Sequence, residues 1–471
     1  MAARVSRTGP GSRLSLGVFL ASAALSGCAE VGPDYLRPAA IVPVAYKELK
    51  GWKAATPRDD ALKGEWWRAF GDATLDRLTV QIAVSNQTLK ADEANYREAL
   101  ALVAEARAGL FPTIDADASA TRSNPGVTST TANLNGSWAP DLWGKVRRTI
   151  EQEGAAAQVS EATLANATLA DQSALVTAYV TLRESDSAHD LYAFVVDQYK
   201  RALDITQNQY NQGTVAKSDV ITAQSELLSA QALEVETEVA RQQSEHAIAV
   251  LIGKPPSELN IGRGKLAETT PSVPVRVPSS LLERRPDIAE AERGIAEANA
   301  AIGVAMAGYY PDITLTGLFG YSGSSLQGPS NNPVWSFAAE LAQPIFNGGL
   351  TDAQVAAARA AYDSSVATYR QTVLSAFQQV EDDLVAVRVY GETVKIQAEA
   401  VKAAEQAVQI SLNEYQAGTQ NFTTVVTAAA TALSDEQTLL ATRAQRLTAT
   451  VDLIVALGGG WSDAKLAKAE P

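Results

Sequence analysis

The sequence predicts a mainly α-helical chain with a small membrane β-barrel part, written twice in tandem, each copy holding a strand pair and long coiled-coil helices. Three observations predict it. Short markers recur in one order at a spacing of about 200 residues. Two Pro-free helical runs, 144–212 and 348–417, are far longer than ordinary globular helices. Between these and shorter helices lie runs of strand character, the clearest alternating apolar and polar residues as a tilted membrane strand does.

The markers fix the repeat. Tyr210-Asn-Gln-Gly213-Thr214 returns as Tyr415-Gln-Ala-Gly418-Thr419, an offset of 205. Pro140-Asp-Leu-Trp-Gly144 returns as Pro344-Ile-Phe-Asn-Gly348 at 204, Phe111-Pro112 as Tyr310-Pro311 at 199, and Leu251-Ile-Gly253 as Leu457-Gly-Gly459 at 206. The organisation that follows is a targeting segment 1–27, an extended segment 28–71, a first repeat 72–253, a linker 254–285, a second repeat 286–460 and a tail 461–471.

Element by element, residues 1–27 carry Arg4, Arg7 and Arg13 and no acid, then an apolar stretch from Leu14 to Leu25, which together form a secretory signal. Leu25-Ser26-Gly27-Cys28 closes it with the only cysteine in 471 residues. These four residues resemble a bacterial lipobox, which implies cleavage before Cys28 and acylation of its thiol. Ala29 in the next position implies the outer membrane. Pro33, Pro38, Pro43 and Pro57 make the following segment extended. Helices are expected over 72–109 and 286–308, each ended by Gly and an aromatic-Pro pair. Strands are expected over 113–121, 130–139, 312–321 and 334–343, with Ile313, Leu315, Gly317, Phe319 and Tyr321 on one face of the third. The first long run would measure about 100 Å at about 1.5 Å per residue. Helices return over 217–252 and 422–457. In the second of these Val426, Leu433, Leu440, Leu447 and Ile454 recur every seven residues, and Ile221, Leu228, Val235, Gln242 and Ala249 hold the same register, the period of a left-handed coiled coil. The Pro-rich linker is expected to form a belt around the helices, with Trp66 and Trp67 as packing anchors.

Composition excludes several classes. Two histidines and one cysteine are too few for a His/Cys metal site or an intramolecular disulfide. With 39 basic against 53 acidic side chains the net charge is −14, the wrong sign for a nucleic-acid partner. A mean hydropathy of −0.07 argues against a bundle of membrane-spanning helices. Nothing points to an enzyme: there is no phosphate-binding loop and no Gly-x-Ser-x-Gly elbow, and His189 and His246 sit in helical runs. No metal and no cofactor is expected.

Four strands cannot close a barrel, and an open edge in lipid would leave backbone groups unpaired at several kcal/mol each. Chains must therefore pool strands, and three chains would give twelve, from which the long helices would extend into the periplasm.

The chain resembles the outer-membrane efflux proteins of the TolC and OprM type, in their lipidated (NodT-type) branch paired with RND pumps. The resemblance rests on Glu283-Arg284-Arg285-Pro286-Asp287-Ile288-Ala289-Glu290-Ala291-Glu292, on Ala298-Asn299-Ala300-Ala301-Ile302-Gly303-Val304-Ala305, and on Trp66-Trp67-Arg68-Ala69-Phe70. Asp141-Leu142-Trp143-Gly144-Lys145, Pro344-Ile345-Phe346-Asn347-Gly348-Gly349 and the Tyr-x-x-Gly-Thr pair add to it. It implies a homotrimer with a twelve-stranded barrel and a twelve-helix periplasmic tunnel, docked to a membrane-fusion adaptor and an inner-membrane RND transporter. The implied function is the passive exit duct of a tripartite pump for drugs or other small toxic compounds. A type I protein-secretion channel and a non-pore periplasmic coiled coil are the competing readings.

The same resemblance assigns the periplasmic tips. Gly213, Thr214, Gly418 and Thr419 form the tip turns and adaptor contacts. Asp219 and Tyr415 match positions that close the tunnel by a hydrogen bond, with Ser218 and Gln420 at the other linked positions. Gln420 stands where the best-known channel has Arg, and Thr424 and Thr427 stand at the acidic constriction positions, so gating by charge and cation selectivity at the tip are expected to be weak.

Overall fold

A computed structural model describes residues 30–40, 42–48, 64–124, 126–273, 284–324 and 332–461. The signal segment, Cys28 and the tail beyond residue 461 lie outside the described residues.

After a 3-10 turn at Trp66–Phe70 come α1 (Ala73–Ser85) and α2 (Gln87–Ala108), then β1 (Thr113–Ser123) and β2 (Val127–Trp138). The long α3 (Lys145–Asn211) and the returning α4 (Lys217–Leu251) complete the first repeat. The second holds α5 (Pro286–Ala307), β3 (Asp312–Gly323), β4 (Asn332–Ala342), α6 (Leu350–Gln416) and α7 (Phe422–Ala456). Both long helices have 67 residues and both returning helices 35.

One expected helix is two. The run 72–109 breaks at Asn86, whose backbone is extended (φ −60°, ψ 127°) and whose side chain accepts from Leu89 N to start α2. The same amide donates to Leu251 O at 2.9 Å and to Asp171 Oδ2 at 2.9 Å. Its counterpart in the second repeat is Arg285, the N-cap of α5, whose Nη1 donates to Ala456 O at 3.0 Å. A side chain that opens one helix thus satisfies a terminal carbonyl of another. The turns that end α4 and α7 approach these same places. A Cβ on Gly253 (φ +69°) would lie 2.1 Å from Ser85 O, and one on Gly458 (φ +93°) 2.1 Å from Arg284 O. Gly253 therefore pairs with Gly458, and the offset of 206 read from Gly459 becomes 205.

The heptad rows also shift. In α7 the row one residue before the expected one is buried at Val425, Ala432, Leu439 and Leu453 but interrupted by half-buried Arg446, and the expected row is itself buried at Leu447 and Ile454; in α4 the earlier row is buried at Val220, Leu227, Arg241 and Ile248, and Ala249 of the expected row is buried as well. The expected row of α4 is turned elsewhere: Ile221, Leu228 and Val235 are 54%, 56% and 70% exposed. Its counterpart in α7 is covered by α3, where Val180 meets Leu440, Ala444 and Leu447.

The main core lies where the shorter helices meet the middle of the long ones, with Trp66, Leu75, Ile82, Leu175, Ile248, Ile288 and Leu384 almost wholly buried. Trp66 and Trp67 pack edge to face there, and Trp66 Nε1 donates to Gln172 Oε1 at 3.1 Å. The segment after α4 binds back through charge. Arg241 donates to Asp186 Oδ1 (2.8 Å), Glu245 Oε2 (2.9 Å) and Ile261 O (2.6 Å), while Arg183 donates to Asp186 Oδ2 (3.0 Å) and Gly262 O (2.7 Å). Asp186 and Arg241 are buried, and this pairing makes that tolerable.

Candidate functional site

The four strands form one antiparallel sheet in the order β1-β2-β3-β4, leaving β1 and β4 at its edges. Register sorts the side chains onto two faces. Asp117 lies opposite Asn133, Asp115 opposite Asn135, Ser137 opposite Thr316 and Thr314 opposite Glu340, so one face is polar. On it both Asn133 and Asn135 donate to the Asp117 carboxylate, and Ser119 bonds Thr131 at 2.9 Å. The other face carries Ile114, Ala116, Ala118, Leu134, Leu315, Phe319, Tyr321, Trp335, Phe337 and Leu341. Phe319, Trp335 and Phe337 are exposed within the single chain, which is a poor arrangement in water and a fitting one in lipid. The expected apolar face of the third strand, Ile313 to Tyr321, is the lipid-suited one.

At the far end, about 100 Å along α3 and α6, two turns reverse the chain in the same way. Gly213 (φ +74°) and Gly418 (φ +72°) take the left-handed conformation after each long helix. Thr214 N and Oγ1 both donate to Gln209 O (3.0 and 2.9 Å), and Thr419 N and Oγ1 both donate to Glu414 O (2.9 and 3.0 Å). The threonine is thus the residue that closes the helix end twice over.

Within one chain Asp219 and Tyr415 lie near each other without a hydrogen bond between them. Tyr415 Oη donates to Gln209 Oε1 at 2.5 Å, so within one chain its hydroxyl joins α6 to α3 and is not bonded to Asp219. Burial pushes the Tyr415 phenol up, and the Asp219 charge nearby adds to this. Asp219 lies in the first turn of α4 and accepts a long bond from Ser218 Oγ at 3.4 Å. Gln420 Oε1 accepts from Thr424 Oγ1 at 3.3 Å, and Thr427 Oγ1 donates to Thr423 O at 2.9 Å. Beside these polar links lies an apolar knot. Phe422, Val425 and Ala223 are buried together against Leu203, Leu412 and Tyr415, with the Tyr415 and Phe422 rings 5.4 Å apart. It ties all four tip helices, and its signal in the sequence was Phe422 directly after the second turn.

Among the described residues no group of three or more His, Cys, Asp or Glu could hold a metal, and no helix is long and apolar enough to cross a membrane. Residues 78–254 and 277–459 match the outer membrane efflux protein family. The chain belongs to that family. This outer membrane efflux protein is 29% identical over 453 residues to the toluene efflux pump outer membrane protein TtgC of Pseudomonas putida, covering 93% of each chain. It is 28% identical over 417 residues to the pyoverdine export outer membrane protein OpmQ of Pseudomonas aeruginosa, covering 84% of this chain and 87% of that one. Among solved structures it resembles the outer-membrane channel OprN, with a TM-score of 0.85, 27% identity and coverage of 92% and 100%. The Campylobacter jejuni CmeC channel shares the fold, with a TM-score of 0.86 at 21% identity over 93% and 96% of the two chains.

Proposed function

We propose that this outer membrane efflux protein is the exit duct of a tripartite RND-type pump, passively releasing drugs or other small toxic compounds from the periplasm to the exterior. The observation that carries the reading is the two-faced sheet whose edges have no partner strand among the described residues, joined to helices that reach about 100 Å away. In this reading three chains pool their strands, the polar face lines the lumen and the apolar face meets lipid. The relatives support efflux, since TtgC is named for toluene and OpmQ for pyoverdine. A periplasmic adaptor would bind the tip turns at Gly213, Thr214, Gly418 and Thr419, and an inner-membrane RND transporter would supply the energy that the duct lacks. Acylated Cys28 would anchor the chain in the outer membrane. The resting tunnel would be closed at the tips by Asp219, Tyr415, Ser218 and Gln420 together with the apolar knot around Phe422.

Purified protein in planar bilayers tests the pore: discrete conductance steps are expected, and a protein that never conducts, even with its tips opened by substitution, is a scaffold. A deletion strain tests the cargo class. Toxic compounds should accumulate and be cleared again when the gene is restored.

A further inference from the structure

The two repeats can be compared residue by residue, because their long and returning helices correspond at an offset of 205, Lys145 with Leu350 and Lys217 with Phe422. Arg183 and Arg241 then match Arg388 and Arg446. Their partners do not match. Asp186, which accepts from both arginines of the first repeat, is replaced by Gly391, and Glu245, the second carboxylate on Arg241, by Thr450. The second repeat keeps both guanidinium groups and loses both carboxylates.

The arginines left there are only partly satisfied. Arg388 Nη2 donates to Glu48 Oε2 at 2.8 Å, yet 31% of its side chain is exposed, against 10% for Arg183. The Nε atoms of Arg388 and Arg446 are both buried without a hydrogen-bond partner. A Cβ on Gly391 would lie 3.3 Å from Arg446 Nε and 3.4 Å from its Cζ, so this guanidinium lies over bare helix backbone where the first repeat has an acid. A half-buried cation of this kind is costly until an anion and hydrogen-bond acceptors reach it.

The cover differs in the same way. In the first repeat Ile261 O accepts from Arg241 and Gly262 O from Arg183, both in the segment that follows α4. The corresponding segment follows α7, and the two leave their helices through matching turns, Gly253 against Ser85 and Gly458 against Arg284. At the same offset Ile261 matches Leu466, Gly262 matches Ala467 and Glu258 matches Asp463. These counterparts belong to 462–471, outside the described residues, a stretch that holds two acids, Asp463 and Glu470.

We infer that residues 462–471 fold back over α6 and α7 as the linker folds over α3 and α4, and bring the carboxylate of Asp463 or Glu470 to Arg446. The tail supplies from outside the charge that Asp186 supplies from within. The belt then has equal halves. On the first helix pair Trp66 bonds Gln172 and Asp72 accepts from Tyr179, beside the linker. On the second, Tyr46 packs on Phe377 and the backbone N–H groups of Lys47 and Glu48 donate to Glu381, beside the tail.

Trypsin reads the tail, because Lys465 and Lys468 lie in it. Full-length protein in detergent is digested briefly and both cuts are timed by mass spectrometry. Each rate is divided by that of a synthetic peptide with the same tail sequence, and the cut after Lys217 at the tip serves as the control on the fold. The wild-type tail should be cut at least tenfold more slowly than its peptide. Asp463→Asn with Glu470→Gln leaves the folded body untouched and should remove most of that protection. Gly391→Asp returns an inner carboxylate to Arg446 and should release the tail several-fold. A wild-type tail cut as fast as its peptide overturns the inference and assigns Arg446 another partner. Protection that persists in either variant while the control cut is unchanged overturns it as well. Should Gly391→Asp disturb the control cut, the tail variant decides alone.

Discussion

Cys28 and Phe422 can each be tested alone. Cys28→Ser should abolish metabolic palmitate labelling, because the chain has no other thiol; retained label would show the anchor to be elsewhere. At the tips, Tyr415→Phe removes one hydroxyl bond, worth about 1 kcal/mol net. Phe422→Ala removes a buried ring, which costs about 3–5 kcal/mol in a full core and less at a tip. Both Phe422→Ala and the double variant Asp219→Ala with Tyr415→Phe should raise single-channel conductance and admit bulky antibiotics, with Phe422→Ala the larger effect and trimer yield unchanged. If the double variant opens the tunnel further than Phe422→Ala does, polar links dominate the closure.

At the scale of elements, the joint between α1 and α2 concentrates several functions in Asn86, which caps one helix and satisfies the end of another. Asn86→Ala should lower stability by about 2 kcal/mol, from the lost cap and the unpaired groups left behind. Asn86→Ser keeps the cap alone and should fall between, so melting temperatures should order wild type, Ser, Ala. A second test concerns Asp383 on α6. Its carboxyl is pushed up to about 7, by burial first and then by the charges of Asp452 and Asp382, with Arg285 opposing. The folded value lies above the unfolded value of about 4. The protonated form is therefore the favoured one, and its contribution is full below pH about 4 and lost as pH rises through about 7. Asp383→Asn should flatten the fall in melting temperature between about pH 4 and 7; an unchanged slope would mean that other groups set it.

These elements also show what a sequence discloses. The long helices, the return helices and the strand pairs were legible because periodicity and Gly or Pro boundaries mark them, and their ends moved by no more than three residues, the most at the start of β2. The break at Asn86 was not, since Asn interrupts a helix only when partners such as Leu251 O draw its side chain away. The coiled-coil period was legible but its register was ambiguous by one residue, because Val425 and Val426 are both apolar and tertiary packing chooses between them. The Arg183–Asp186–Arg241–Glu245 cluster was hidden for a different reason: charged residues on a helix read as solvated until the segment that covers them is seen. At the tips the sequence marked both turns, whereas the partner of Tyr415 depended on how the helix pairs lean together.

For the whole molecule, the open sheet and the exposed α4 row make a stable monomer an unfavourable state. Detergent-solubilised protein should have a mass of three mature chains by multi-angle light scattering, with no folded monomer at moderate concentration. A stable β-containing monomer would contradict the pooled barrel. The matched lengths of the helices, 67 with 67 and 35 with 35, carry a last consequence. Every residue inserted into one long helix alone would push its tip about 1.5 Å out of level with its neighbours and rotate the faces beyond it by about 100°. The mouth would then be ragged, with some hairpins protruding and others recessed. Evolution of the reach of this tube is thereby restricted to concerted changes: the two halves of the gene must lengthen or shorten together, in steps that restore the seven-residue phase.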